Sequence, residues 1–564
     1  MSNKYYRLTI NFNNNVKYKS LLADIPNFPK IEIPNIIFSK IMEVSSIDEL
    51  EKIKTNVIYF YGQLPKILDD TNFNKYQINE ITKNEFVKNI SLYGLRRLMD
   101  LRLIKYYLDL NVIPINENFI DRFNGHYSFY NNPATLDNTF TYSKNYNSKK
   151  KDFNNQINVL YCIFFSPQYE DIGYTVRTHS LLKNTKNSGI NIIGVSRYGY
   201  PYDKPKEYYE KIGINDYEKD GVKYIKLLNG TDNFNDNNIV EYIKKYVNVL
   251  VETAKKHNAD IIHGASNWFN GLAAYYAGKI LGIPSIYEIR GFWDESSLAL
   301  RPELHEADMI KMKQFMENFV INNVTKVITI NDNLKDELVE RLPHINNIDI
   351  IYNGVDADKF NIDKHIKYEM KQKFKIDDET TIFGYIGSLL NYEGIEYILQ
   401  SIKRLSDKKY KVKFFMIGDG KEKDNLLKLV NTLKIEPYFE YIGKISHDEV
   451  SKFYNMFDII VYPRKNDKVC RTTSSSKIFE TMCMAKPIIV SKLPAYDEII
   501  TDRYNGLYCI PDDIDDIYNK IVELINDKEL QNTIGNNARE WVMKNRDWKS
   551  LGLKLSEIYK QILI

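Results

Sequence analysis

Around residue 480 the chain brings an acid, a lysine and three hydroxyls together within a short helical stretch. The run Lys477-Ile478-Phe479-Glu480-Thr481-Met482-Cys483-Met484-Ala485 has helical apolar spacing, ends near Lys486-Pro487 and leads into the β-branched Ile488-Ile489-Val490. Ser474, Ser475 and Ser476 precede it, where the first backbone N–H groups of a helix lack partners. Such an N-terminus favours phosphate, because the unpaired N–H groups and the helix dipole both attract negative charge. Further in, Glu480 is placed to accept hydrogen bonds from a pair of sugar hydroxyls. Phosphate at the helix start and a hydroxyl-binding acid inside it describe a nucleotide or nucleotide-sugar site. A capped surface helix with a solvated Glu is the plainer alternative.

The elements that must hold this helix are strands. From Ile157 onward short apolar strands alternate with longer helices, as in a doubly wound parallel sheet. Strands are expected at 159–165, 190–195, 260–263, 284–288, 327–330 and 348–352, with a helix over 270–281. A second alternating half follows, with strands at 382–387, 413–418, 439–443, 458–462 and 487–490. Several end in glycine, among them Gly387, Gly418 and Gly443, which lets backbone or ligand come close at the carboxyl edge where such sheets bind ligands. Two such halves facing each other form a cleft, and a final helix around 536–542 is expected to pack back toward the first half.

Composition sets wider bounds. At 564 residues the chain has room for several domains, and a formal charge of +3 supplies no bulk attraction for nucleic acid. The N-terminus lacks the apolar core of a signal peptide, and no apolar run is long enough to span a membrane. Cys162, Cys470, Cys483 and Cys509 lie far apart, which argues against a zinc site or a disulfide framework and for a reduced, cytoplasmic protein. Residues 1–125 contain an alternating stretch near Leu8 and a long helical pattern over 86–110, an α+β region without a chemical motif. Residues 126–156 are polar and end in Ser148-Lys149-Lys150-Lys151, a linker whose basic run is a solvated hinge or a weak contact for anionic lipid headgroups.

Taken in order, the motifs resemble the family 4 glycosyltransferases of the GT-B fold. The donor-side pieces are Gly387-Ser388-Leu389, Tyr392-Glu393-Gly394, Ile417-Gly418-Asp419-Gly420, Tyr441-Ile442-Gly443, the Glu480 helix and Asn505-Gly506-Leu507. The acceptor-side pieces are similar to bacterial exopolysaccharide and capsule members: Gly173-Tyr174-Thr175-Val176-Arg177-Thr178-His179, Arg197-Tyr198-Gly199-Tyr200-Pro201, Asn270-Gly271-Leu272 and Tyr287-Glu288-Ile289-Arg290-Gly291. The resemblance runs from about residue 157 to the C-terminus. It implies two Rossmann-like domains facing a cleft, at 157–365 on the acceptor side and 366–535 on the donor side, with 536–564 packing back toward the first.

By that resemblance Glu480 binds the donor ribose. Gly387, Ser388 and Gly418 lie along the diphosphate, Ile442 and Gly443 face the base, and Ser474, Ser475 and Ser476 meet phosphate. On the acceptor side Gly173, Tyr174, Arg177 and Arg290 line the cleft, the arginines alternatively forming an ion pair that holds the loops, while His179 contacts acceptor or phosphate or braces its loop, and His263 sits at a strand end facing the cleft. The family's first motif acid is Thr472 here, and its diphosphate Arg and Lys fall at Ser388 and Glu393. A leaving diphosphate still needs positive charge. Arg471 and Lys477 flank the serines, with Arg464 close by, and exopolysaccharide members have a similar arrangement of Arg followed by Lys-x-x-Glu.

The implied activity is retaining, metal-independent transfer of a sugar from a nucleotide donor to a glycan or lipid-linked glycan acceptor. No cofactor is expected, since the nucleotide-sugar is a substrate; nucleic acid is not a partner, and oligomeric state is left open. A non-catalytic glycan-binding subunit or a nucleotide-sugar epimerase on the same fold is the alternative.

Overall fold

A computed structural model describes residues 125, 134–137, 140, 156–295 and 308–564, together with six short strands between Arg7 and Glu80. The chain divides into two compact units, one of residues 1–140, 235–242 and 300–317, the other of 141–234, 243–299 and 318–564. In the first, Lys19–Leu22, Arg7–Asn11, Val57–Tyr61 and Gln77–Glu80 pair in that order, antiparallel except for the last pair. The helix expected over 86–110 and most of the linker expected at 126–156 lie outside the described residues.

The second unit holds two sheets. Its first comprises β1 (Asn158–Ile163), β2 (Asn191–Ser196), β3 (Tyr217–Lys219), β4 (Val222–Ile225), β5 (Ile261–Ala265), β6 (Ser285–Glu288), β7 (Lys326–Thr329) and β8 (Ile348–Ile350). They pair as β8-β7-β6-β5-β1-β2-β4-β3, parallel throughout except for the β3–β4 hairpin. The second sheet comprises β9 (Thr381–Ile386), β10 (Val412–Ile417), β11 (Phe439–Gly443), β12 (Ile459–Tyr462), β13 (Ile488–Ser491) and β14 (Leu507–Cys509). It is wholly parallel, in the order β11-β10-β9-β12-β13-β14. Central parallel strands are covered on both faces, so they read as continuous apolar runs, and β9 is buried along its whole length. In each sheet the order reverses at a central strand, β1 or β9, which opens a crevice at the carboxyl edge.

Every strand expected after residue 157 is present to within about two residues, an ordinary boundary error. The β3–β4 hairpin and β14 were not anticipated, being short and, in β3, mostly exposed. The helix expected over 270–281 is Trp268–Leu281, started by the Asn267 side chain and stopped by Gly282 at φ 66°.

Within the returning segment 536–564, the helix expected around 536–542 is not the one that crosses. Lys528–Asn545, which includes 536–542, puts Ile534, Ala538 and Val542 into the core of the second sheet's domain. The chain crosses at Arg546 and Asp547, and it is the helix Trp548–Ile562 that joins the first domain's core through Leu551, Leu555, Ile558 and Tyr559. Burying each of these large apolar side chains stabilises by about 1.5–3 kcal/mol. Gly552 permits the crossing, since a Cβ there would lie 2.5 Å from the Asn184 carbonyl carbon on Gly173–Asn187. Among the described residues no helix is long and apolar enough to cross a membrane.

Candidate active site

The helix Lys477–Cys483 is enclosed. From Ile478 to Cys483 every residue is buried, so Glu480, 7% exposed, is not the solvated surface acid of the plainer reading. Lys477 Nζ lies 3.0 Å from both Glu480 carboxylate oxygens, and the Tyr454 hydroxyl donates to Oε2 at 3.1 Å. Tyr454 belongs to His447–Met456 and is not singled out by the sequence, where it reads as one core aromatic among many. Ser476 occupies the N-cap without a side-chain capping bond; Ser474 is buried, and Ser475 and Ser476 are half-buried. Arg471, on the preceding short helix Lys468–Thr472, is exposed, whereas Thr472 is buried with its hydroxyl donating to the Lys468 carbonyl at 3.0 Å.

The glycines expected at the strand ends form one connected edge. Gly387 N–H donates to Ile417 O at 3.0 Å, and Gly418 N–H donates to Gly443 O at 2.9 Å. Gly418 has φ +134°, and a Cβ there would stand 1.8 Å from the Gly387 carbonyl oxygen. Gly443 is also left-handed at φ +82°. Gly418→Ala is therefore expected to cost about 3 kcal/mol in folding stability, seen as a lower urea midpoint. An unchanged midpoint would mean that the Gly387 turn moves aside freely. Ile442 is half-buried at the same edge, and Ser388 is exposed, its carbonyl accepting from the Tyr385 hydroxyl at 2.9 Å. Glu393 is buried and pairs with Arg464 at 3.3 Å, so an acid–arginine pair stands where the resembled family has a lysine.

On the first sheet's side the structure gathers residues that the sequence keeps apart. Glu288, at the end of β6 and 0% exposed, is a hub. Arg177 Nε donates to its Oε1 at 3.0 Å, Arg290 Nε donates to the same oxygen at 2.8 Å, and the Tyr161 hydroxyl donates to Oε2. Burial opposes the charge on Glu288, but Arg290 and then Arg177 outweigh it and hold the carboxyl well below the usual range.

Arg177 and Arg290 thus take the alternative to lining the cleft, an ion pair that holds the loops. Arg177 also gives hydrogen bonds to the carbonyls of Ile351 and Tyr352, each at 2.7 Å, and to Asn353 Oδ1 at 3.0 Å. Arg290 donates to Thr178 Oγ1, Tyr161 Oη and the Tyr174 carbonyl at 2.8–3.2 Å. The physical reason is that a guanidinium buried at a sheet edge needs every donor satisfied, and the β6 acid and nearby backbone supply the acceptors. His263 does not face the cleft either. It is fully buried on β5, with Nδ1 2.8 Å from the Tyr559 hydroxyl of the returning helix and Nε2 3.4 Å from Glu288. Burial drives its pKa down against the pull of Glu288. His179 braces its surroundings, 2.8 Å from both Tyr224 Oη and Asp220 Oδ2.

Tyr174 and Gly173 stay near the opening. The Tyr174 hydroxyl accepts from Phe164 N–H at 2.9 Å and donates to the Ser266 carbonyl at 3.1 Å, and its ring lies 4.4 Å from the Arg290 guanidinium. Gly173 is exposed at the start of its helix, where a Cβ would lie 3.5 Å from Ser476 Oγ. A Cβ on Gly291 would similarly lie 3.7 Å from Thr473 Oγ1. The two Rossmann-like domains therefore meet at the serine loop, with two glycines on one side and hydroxyls on the other. Sequence reasoning overlooked Glu288 as the organiser of this side, although an acid closing an apolar strand two residues before an arginine is a readable signal.

Two family profiles match this architecture: "Glycosyl transferases group 1" over residues 367–541 and "Glycosyltransferase Family 4" over residues 218–359. Together they span the greater part of both Rossmann-like domains, which there resemble the GT-B glycosyltransferases. It is 24% identical to an uncharacterized glycosyltransferase of Methanocaldococcus jannaschii, covering 69% of this chain and 95% of that protein. It is 26% identical to the capsular polysaccharide biosynthesis glycosyltransferase CapM of Staphylococcus aureus, covering 49% of this chain and 70% of that protein. The fold is shared with Anabaena HepE, solved with UDP, at a TM-score of 0.57 and 15% identity over 72% of this chain and all of that one.

Proposed function

We propose that the protein is a retaining glycosyltransferase that moves a sugar from a nucleotide-sugar to a hydroxyl of a surface polysaccharide or lipid-linked glycan. The observation that carries this reading is the buried Glu480 carboxylate, clamped by Lys477 and Tyr454 on a helix whose start faces the other domain. Its oxygens suit a pair of ribose hydroxyls. Lys477, Arg471 and the three serines suit the diphosphate, and the glycine edge at Gly387, Gly418 and Gly443 lets the nucleotide approach the backbone. The capsule and nucleotide complexes named for the relatives support the same substrates, and their names as transferases favour transfer over binding or epimerisation.

In the proposed reaction the acceptor oxygen bonds to the anomeric carbon on the face from which the diphosphate leaves. The anomeric carbon–phosphate oxygen bond breaks, and the departing phosphate oxygen takes the acceptor proton. The protein contributes position and positive charge where negative charge develops, and no resident cofactor or metal is invoked. The work is done in the cytoplasm, at the inner membrane face if the acceptor is lipid-linked. A panel of UDP-, GDP-, ADP- and CDP-sugars, incubated with chelator, tests this through nucleoside diphosphate release. Release from one donor that Glu480→Ala abolishes supports the reading; release unaffected by Glu480→Ala sinks the assignment of this site.

A further inference from the structure

One helix of the first domain bonds across to the donor domain with three successive residues. The helix Asp332–Arg341 follows β7 and is capped by Asn331, whose Oδ1 accepts from Leu334 N–H at 2.7 Å. The other end of the same amide, Asn331 Nδ2, donates to the Thr472 carbonyl at 2.9 Å. Asn333 Nδ2 donates to the Arg471 carbonyl at 3.1 Å, and Asp332 N–H donates to Glu498 Oε2 at 2.9 Å. The next carbonyl of the donor loop, Thr473, accepts from Arg464 Nη1 at 2.6 Å. Lys468, one turn before Arg471, reaches Glu295 of the first domain at 2.8 Å.

Three consecutive carbonyls, of Arg471, Thr472 and Thr473, are thus held by side chains, two of them from the other domain. Residues 473–476 lie between two short helices and carry no regular structure of their own. The shape of such a segment is decided by what its backbone groups bond to. Asn331 is 2% exposed, so its amide has no water to exchange for the Thr472 carbonyl.

We propose that Asn331 and Asn333 are positioning residues for the donor diphosphate: by holding the Thr472 and Arg471 carbonyls they shape the loop that presents Arg471, the serines and Lys477. The phosphate site is then complete only when the two domains meet, which ties donor binding to domain contact. This inference rests on the reading of Arg471 and Lys477 as phosphate-binding cations.

Inorganic pyrophosphate, titrated into the full-length protein by calorimetry, reports the diphosphate site whatever base the donor carries. Asn331→Asp keeps an oxygen for the Leu334 N–H but sets an acceptor against the Thr472 carbonyl. Asn333→Ala removes a half-buried amide that caps nothing, and so keeps the test valid if the first variant fails to fold. Each is expected to raise the pyrophosphate dissociation constant about tenfold, as Arg471→Ala does, Asn333→Ala with an unfolding midpoint near wild type. Asn333→Gln, which keeps the amide donor, retains most of the affinity. Wild-type affinity in both asparagine variants beside weakened Arg471→Ala overturns the positioning role alone. Wild-type affinity in Arg471→Ala and Lys477→Ala overturns the phosphate reading, and this inference with it.

Discussion

Lys477→Ala lowers turnover by about two to three orders of magnitude, the loss typical when one preorganised charge partner of a developing anion is removed. Lys477 is the first residue of its helix, beside three serines, and its ammonium sits 3.0 Å from both oxygens of Glu480. Under the proposed function it has two tasks, to orient the carboxylate assigned to the ribose and to meet the departing phosphate. Losing the second task lowers kcat, because the charge develops in the transition state; losing the first raises the donor KM. Folding is affected little. Lys477 is a quarter exposed, and a pair of this kind is worth about 1 kcal/mol or less. Initial rates of nucleoside diphosphate release, alongside a urea melt, separate the two effects. A variant with full kcat and a raised KM alone would remove Lys477 from the chemistry and leave it as a ribose-site brace.

Glu288→Gln is expected to destabilise the protein by about 3–5 kcal/mol, although the change is nearly isosteric. The carboxylate is the counter-charge for two buried guanidiniums, and the amide leaves both cations in a dry site with carbonyls and hydroxyls as their acceptors. The same linkage gives the pH dependence. Glu288 has a folded pKa depressed below its unfolded value, so its contribution is fully present above the unfolded carboxylate range and is lost as pH falls through the folded pKa. Wild type should therefore lose stability in acid more steeply than the Gln variant. Urea midpoints at neutral and acid pH check both statements. A Gln variant within about 1 kcal/mol of wild type at neutral pH would show that the carbonyls alone satisfy the arginines.

The strands of both Rossmann-like domains were legible because a central parallel strand must be apolar on both faces, and Val159-Leu160-Tyr161-Cys162-Ile163 and Ile382-Phe383-Gly384-Tyr385-Ile386 leave few other readings. The glycine edge was legible for a related reason: a strand-end glycine such as Gly418 marks a backbone that no side chain is allowed to obstruct. Glu480 stood out as the one acid within an apolar helix. The choice between cleft and ion pair for Arg177 and Arg290, and the place of His263, were not legible. Their types fit a cleft as well as they fit a core, and the acid that claims all three, Glu288, is separated from Arg177 by 111 residues.

What the sequence by itself determined is the set of elements, their order and the local chemistry at the start of the Lys477–Cys483 helix. These depend on periodicity, glycine and short-range capping, which act over a few residues. Only the tertiary structure decided which cations are consumed by folding and which stay near the donor loop. It also decided that the returning helix is Trp548–Ile562, and that Asn331 and Asn333 reach the carbonyls of Thr472 and Arg471. Those outcomes turn on pairing between groups far apart in the chain. A buried charge or amide takes whichever partner the packed domains bring within reach, and local sequence carries no record of that choice.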